Sequence, residues 1–334
     1  MRRKALALLS GGLDSTLAIK LLLEQGIEVE AAHYHIEFAA CGGMGDENAA
    51  NKAAKKLGVY LEMIDITAEY LEVFKNPQYG YGANINPCID CKIFMLKKAK
   101  KRMAEVGASF LVTGEVLGQR PMSQRRDALN IISKRADVKG ILLRPLCAKL
   151  LEPTLPEREG IVDREKLMAI TGRSRKPQMD LAAQYGIKDY PNPAGGCLLT
   201  DPGFTRRVKD LIAHDELTIE NLQLLKYGRH FRLSDKAKLV VGRDAEDNDE
   251  VEALAGKGDI CFRLKDHQGP FSMIRGAADE ALIRQAAGIV AYHSKLRNEG
   301  SIRVDYWHAK SIGKPTALSI QPASLAEVDN VRVK

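Results

Sequence analysis

Through the first two hundred residues, short apolar runs alternate with segments whose apolar positions recur at helical spacing. Residues 4–9 and 28–36 read as strands, and 15–25 between them reads as a helix with an apolar face. The same pattern gives a helix over 46–57, a strand over 59–65, a long helix over 89–106, and strands at 109–113 and 141–146. Strand, helix and parallel strand in succession predict an α/β fold with a doubly wound parallel sheet, whose ligand lies at the carboxyl ends of the strands. After about residue 206 the pattern changes. Residues 226–241 read as two short strands, 244–254 as an acidic turn or helix, 259–275 as strand-rich, 279–296 as a helix and 301–307 as a strand. A smaller α+β domain is expected there, with boundaries at 1–210 and 220–334 and the Pro/Gly-rich stretch 190–203 just before the switch.

At 334 residues the chain is long enough for two domains that each bury a core. No run approaches the roughly 18 apolar residues of a membrane-spanning helix, and no membrane partner is expected. Met1-Arg2-Arg3-Lys4 precedes only a short apolar run, which is read as a buried first strand rather than a leader. Fifty Lys and Arg against 43 Asp and Glu leave a net charge of +7, compatible with a polyanionic partner. The six cysteines, at 41, 88, 91, 147, 197 and 261, are too sparse for a disulfide framework, and a reducing cytoplasm is the expected compartment. Cys41, Cys147 and Cys261 are read as packing residues, and His33 and His35, ending the second strand, as structural.

The strongest chemical signal is Ser10-Gly11-Gly12-Leu13-Asp14-Ser15-Thr16, set between the first strand and a helix. Two glycines let the backbone approach a ligand closely, while the hydroxyls and free amides at the helix start can surround phosphate oxygens. Asp14 can help to hold Mg²⁺. Neither a Walker loop nor a dinucleotide fingerprint is present. The loop resembles that of the PP-loop ATP pyrophosphatases, which split ATP into AMP and pyrophosphate to adenylate a carbonyl oxygen. Thr113-Gly114-Glu115-Val116-Leu117-Gly118-Gln119-Arg120-Pro121-Met122-Ser123-Gln124 looks like the corresponding segment of tRNA 4-thiouridine synthases, and Leu143-Arg144-Pro145-Leu146 with Lys149 is similar to the next one. The resemblance covers residues 4–205. It implies an ATP site on Ser10, Gly11, Gly12, Asp14, Ser15, Thr16, Gly114, Gln119, Arg144 and Lys149, the last two as cations able to neutralise phosphate.

Cys88-Ile89-Asp90-Cys91 places two sulfurs within reach of one metal or of each other, and Gly195-Gly196-Cys197 supplies a third in a loop that can bend toward them. Beside a PP-loop this resembles thiouridine-forming enzymes in which three cysteines hold a [4Fe–4S] cluster with one iron free for sulfide. A persulfide/disulfide pair, structural zinc and plain buried thiols are the alternatives. Six basic and no acidic residues between Lys92 and Arg102, Lys97, Lys98 and Lys101 among them, followed by Arg125 and Arg126, are read as a track for an RNA backbone.

Leu239-Val240-Val241-Gly242-Arg243-Asp244, then Gly258 to Pro270, then Ala286 to Ser294, look like the RNA-binding domain of NFACT type found in ribosome quality-control factors. Arg243 in its glycine turn is the expected phosphate ligand, with Lys226, Arg229, Arg232, Lys236 and Lys238 nearby in sequence; Phe262-Arg263 departs from the family, which has histidine at the second position. The expectation is an ATP-dependent tRNA uridine sulfurtransferase with Asp14, Cys88, Cys91 and Cys197 as its catalytic residues, using ATP, Mg²⁺ and a [4Fe–4S] cluster. Its expected partners are tRNA and a sulfur donor, either a cysteine desulfurase or free sulfide. A PP-loop ligase acting on a small carboxylate and a non-catalytic RNA or ribosome adaptor are the rival readings. The modified position, the oxygen replaced and the oligomeric state are not read from the sequence.

Overall fold

The computed structural model describes residues 3–38, 44–45, 47–82, 84–191, 197–311 and 314–334. Cys41, the expected helix start at Asp46, and Gly195 and Gly196 lie outside these residues. The chain divides into two compact units, 1–200 and 201–334.

The first unit is built on a five-stranded sheet. Its elements run β1 (Lys4–Leu8), α1 (Leu13–Leu23), β2 (Glu28–His35), α2 (Ala49–Leu57), β3 (Leu61–Asp65), α3 (Thr67–Lys75), α4 (Cys88–Glu105), β4 (Phe110–Val112), α5 (Arg126–Arg135), β5 (Leu142–Leu143), α6 (Leu155–Arg158) and α7 (Lys176–Gln184). All pairings are parallel, in the order β3-β2-β1-β4-β5. Helix α1 is apolar on two sides because it is packed on two sides. Ala18, Ile19 and Leu22 join the core that includes Ala5, Ala7 and Phe110 of the sheet, while Leu13, Leu17 and Leu21 meet Val116, Leu146 and Leu181. Strand β5 is shorter than its apolar run. Pro145 has no amide for the ladder, and the chain turns back through the Cys147 amide to the Arg144 carbonyl, 3.1 Å.

The strand order reverses between β1 and β4, so the loops leaving those strands diverge to opposite faces and open a crevice at their carboxyl ends. The glycine loop 10–12 and the segment beginning at Gly114 are those two loops.

The second unit contains α8 (Pro202–Ala213), α9 (Ile219–Leu224), β6 (Arg229–Ser234), β7 (Ala237–Val241), α10 (Ala245–Ala253), β8 (Ile260–Leu264), β9 (Ser272–Gly276), α11 (Glu280–Tyr292), β10 (Ile302–His308), β11 (Thr316–Ile320) and α12 (Leu325–Val331). Its six strands form one antiparallel sheet, β11-β10-β8-β9-β7-β6. Leu239, Phe262, Ile274 and Val304 pack on one face with Ala286, Ile289 and Val290 of α11; Val240, Cys261 and Met273 pack on the other with Val251 of α10. Among the described residues no helix is long and apolar enough to cross a membrane.

The division falls before α8, because α8 carries a carboxylate the second sheet requires. Asp210 accepts from Arg232 Nε and Nη2 at 3.1 and 2.7 Å and from Lys238 Nζ at 2.8 Å, and Arg232 also meets Glu216. Burial opposes the Asp210 charge, but Arg232 and Lys238 outweigh it and hold its pKa below the ordinary carboxylate value. Asp210 therefore contributes stability that is present above the unfolded carboxylate pKa and lost as pH falls through the lower folded value. Asp210→Ala is expected to cost the second unit about 3 kcal/mol at neutral pH by leaving two cations without their buried partner, and to flatten the acid limb of its stability curve. Denaturation followed by fluorescence of Trp307, the chain's single tryptophan, in β10, measures both effects.

Candidate nucleotide and thiol site

Gly11 adopts φ +76°, and a methyl group there would lie 2.2 Å from the Ala49 carbonyl carbon at the start of α2. Only glycine fits. The loop hydroxyls are turned inward. Ser15 Oγ and Thr16 Oγ1 donate to the Gly12 carbonyl at 2.9 and 3.0 Å, and the Ser10 amide donates to Ser15 Oγ at 3.3 Å. They shape the loop, and no side chain caps α1. The amides of its first turn, with the positive end of the helix dipole, are thus left for an anion.

Asp14 stands in that first turn. Its Oδ2 accepts from Gln119 Nε2 at 2.9 Å, while Oδ1 and Gln119 Oε1 are buried without a hydrogen-bond partner. An orphaned carboxylate oxygen next to a phosphate-binding helix end has the donor chemistry that Mg²⁺ takes, so the residues present fit the ion. A methyl group on Gly114 would lie 2.4 Å from the Ser15 amide nitrogen, which brings the loops after β1 and β4 into contact.

Behind Gly114, Glu115 is buried and accepts from Arg144 Nε at 2.9 Å and Thr113 Oγ1 at 3.2 Å, with Lys92 at 3.9 Å. Burial raises its pKa, but Arg144 and then Lys92 overcome this and hold it below the ordinary value. Arg144, expected from sequence to neutralise phosphate, is 6% exposed, paired with Glu115 and also bonded to Ser133. Lys149 pairs with Glu165 at 3.1 Å and donates to that residue's carbonyl.

The three candidate cysteines converge. Cys88 and Cys91 open α4, and its start is fixed by Asp90, whose carboxylate accepts from the Gln78 and Tyr79 amides at 2.9 and 3.0 Å. Cys197 is carried in by its neighbours. The Leu198 amide bonds the Phe38 carbonyl at 2.8 Å beyond β2, and Asn84 Nδ2 donates to the Thr200 carbonyl at 3.1 Å. The charges of Cys88 and Cys91 are felt at Cys197, and Tyr70 of α3 senses all three while sharing a hydrogen bond with Cys91. Burial, the dominant influence, pushes the Cys91 thiol up to about 11 and the Cys197 thiol up to about 12, with Lys92 and Arg120 pulling the other way. Asn86 Nδ2 donates to Cys88 Sγ at 3.2 Å. Three thiols around one tyrosine suit an iron–sulfur cluster in donor type, although among the described residues no three His, Cys, Asp or Glu side chains stand as a ready ligand set.

Tyr70 was not a sequence candidate, since its spacing with Leu71 and Phe74 signals only a buried helix face; it packs against Phe38, Phe74 and Phe94. Glu115 and Lys92 were also missed as a pair, because 23 positions separate them in sequence and only the fold joins them. His33 is more than a packing residue in its geometry. Its Nδ1 bonds the Leu9 carbonyl at 2.8 Å, and its Nε2, like His35 Nδ1, is buried without a partner. Cys147 and Cys261 are buried, as expected of packing residues.

The basic track is largely neutralised. Lys98 pairs with Glu69, Lys100 with Asp137, Arg102 with Glu62 and Glu105, and Arg125 with Asp127, while Arg126 donates to the Leu150 carbonyl. Among the described residues, Lys97 and Lys101 are exposed and in no ion pair. In the second unit Arg243 is clamped by Asp247, which also accepts from the Arg243 amide at 3.0 Å, and Arg232 and Lys238 are held by Asp210. All three are therefore held in internal ion pairs.

Residues 1–150 match the family described as thiamine biosynthesis protein (ThiI), and residues 228–331 match the NFACT protein RNA binding domain. A tRNA-specific 2-thiouridylase MnmA from Syntrophotalea carbinolica is 34% identical over 33% of this chain and 33% of its own length. A probable tRNA sulfurtransferase from Thermococcus kodakarensis is 29% identical over 53% of this chain and 44% of its own. The chain spans a third to under a half of the length of these two curated relatives. A solved 4-thiouridine synthetase–RNA complex with bound ATP is 20% identical, with a TM-score of 0.33 over 55% of this chain and 51% of that one.

The raised thiol pKa values set the reactivity of the site. In reduced, metal-free protein at neutral pH, Cys91 should be alkylated by iodoacetamide about 100-fold more slowly than an unperturbed thiol, and Cys197 more slowly still, both rates still rising at about pH 10. Peptide mass spectrometry across a pH series checks this; equal rates for all the thiols would contradict the burial of the site.

Proposed function

We propose that this chain, which joins a ThiI-type domain to an NFACT-type RNA-binding domain, is an ATP-dependent tRNA uridine sulfurtransferase. The observation that carries this reading is one juxtaposition: an uncapped helix end with Asp14 beside it, joined through Gly114, Glu115 and Lys92 to the helix that opens with Cys88 and Cys91. One half suits activation by ATP and the other suits delivery of sulfur.

In this reading ATP lies with its phosphates at the amides of Leu13 to Ser15. The oxygen of a uridine carbonyl attacks the α-phosphorus, pyrophosphate leaves, and the base is held as an adenylate. Sulfur then attacks the same ring carbon and AMP departs with the oxygen, which is a poor leaving group until a phosphoryl group carries it. Mg²⁺ on Asp14 would neutralise phosphate charge. Gln119 keeps Asp14 turned toward the helix end, and the Gly11 and Gly114 contacts keep the loops from spreading. Arg144 acts indirectly, holding Glu115 and through it Lys92.

Cys88, Cys91 and Cys197 would hold a [4Fe–4S] cluster, which supplies an open iron for sulfide. A second route needs no metal. A persulfide formed on one cysteine by a desulfurase gives up its outer sulfur, a second cysteine closes a disulfide on the first, and an external dithiol reduces it. A reaction that spends ATP on tRNA belongs in the cytoplasm. Lys97 and Lys101 remain as backbone contacts from the first unit.

With tRNA present, the chain should convert ATP to AMP and pyrophosphate, and Asp14→Ala should lower this rate by about 100-fold while thermal unfolding stays within about 3 °C, since a loop carboxylate rather than a core group is removed. ADP as the sole product would exclude the reading. Cys91→Ser and Cys197→Ser should abolish thiouridine formation, scored by nucleoside mass spectrometry, yet retain AMP release. Protein purified without oxygen should be brown with about four irons per chain if the cluster operates. A colourless, active protein with a Cys91–Cys197 or Cys88–Cys197 disulfide after turnover assigns the persulfide route.

A further inference from the structure

Several arginines of the second unit are neutralised within the fold. Arg232 is locked to Asp210 and Glu216, Arg243 to Asp247, Arg263 to Glu252 and Arg275 to Asp259. A different set surrounds a cleft of about 350 Å³ between the start of β6, the end of α11 and helix α12. Arg229, Arg297 and Arg332 line it, and the one carboxylate there, Asp329, lies 3.7 Å from Arg332. Arg229 Nη1 also donates to the Gly242 carbonyl at 3.2 Å and Asp247 and Asp244 act on its charge, but within the cleft itself the three arginines share one carboxylate.

These charges act on one another. Burial lowers the Arg229 pKa, and Arg332 and Arg243 lower it further; burial and Arg243 do the same to Arg207. His293, in the cleft wall, is pushed down to about 4 by burial and by Arg229 and Arg332, so its imidazole is neutral at physiological pH and adds no counter-charge; its Nε2 is buried without a partner. Like charges held this close, partly out of water, raise the energy of the folded unit unless an anion joins them. Beside them the ring of Tyr292 and the 60% exposed Leu325 give the cleft an apolar wall, which inorganic phosphate would not use and a nucleobase would.

We propose that this cleft is where the second unit grips RNA, Arg229, Arg297 and Arg332 taking a backbone phosphate while a neighbouring base rests on Tyr292 and Leu325. The proposal rests on the reading that the chain acts on tRNA, and it moves the RNA contact from Arg243 to the cleft beside α12. The size of the cleft is that of a small-ligand site, so it accommodates one nucleotide unit and reads no long sequence.

Arg297 is exposed and Arg332 is 42% exposed, so replacing them disturbs little of the core. The full-length chain and its Arg297→Gln/Arg332→Gln and Arg297→Lys/Arg332→Lys forms would be titrated with a tRNA transcript across a salt series, with Trp307 fluorescence confirming folding. The glutamine form should bind about tenfold more weakly at about 100 mM salt, with the slope of log affinity against log salt reduced by about one per arginine lost; the lysine form should keep most of that slope. If the wild-type chain binds tRNA and the glutamine form binds it equally well, the cleft assignment falls and the function stands. If the wild-type chain binds no tRNA, the functional reading itself falls. Saturable AMP binding that the glutamine form loses, with tRNA affinity unchanged, would overturn the RNA assignment in favour of a free nucleotide.

Discussion

The loops after β1 and β4 approach so closely that a methyl group on Gly114 would lie 2.4 Å from the Ser15 amide, and Gly11 is pressed as tightly against α2. This backbone contact without intervening side chains holds the rest of the site in place. It positions the uncapped amides of α1 beneath the crevice, points Asp14 at Gln119, and sets Glu115 where it can take Arg144 on one side and Lys92 on the other. A side chain at either glycine would separate the loops and with them the two halves of the proposed reaction.

Electrostatics divides the basic residues into two populations. One is internal: Arg144 and Lys238, which are buried, and the half-buried Arg232 pair with carboxylates and organise the units they belong to, and losing either member of such a pair strands a charge in a poor dielectric. The other has no equivalent partner, and it includes Lys97 and Lys101 on α4 and the arginines of the cleft by α12. A net charge of +7 says nothing about this partition. The chemistry of a polyanionic partner depends on the second population alone.

The thiol site is held from three directions: α4 starts at Cys88 because Asp90 fixes the preceding turn, Tyr70 rises from α3, and Cys197 arrives on a segment tied to Phe38 and Asn84. Burial keeps the Cys91 and Cys197 thiols protonated and quiet until a metal, a persulfide donor or a conformational change alters their surroundings. Such protection suits sulfur chemistry that must wait for an activated base.

By itself the sequence determined the strands of the first unit, most strands of the second and the helices α1, α2, α4 and α11, because periodicity and glycine placement report local conformation, and it marked residues 10–16 as a glycine loop between β1 and α1. It also marked Cys88, Cys91 and Cys197, since cysteine is rare enough in this chain for its spacing to carry information. Helices α3, α5 to α9 and α12 and strand β11 went unread, most of them being too short for their apolar spacing to stand out. Tertiary structure alone decided which charges remain free. Arg144 and Arg243 read as phosphate ligands in sequence, but Glu115 and Asp247 reach them only after folding, and the arginines at 229, 297 and 332 become neighbours only when β6, α11 and α12 pack together. Ion pairing depends on distance in space, and sequence separation does not encode it.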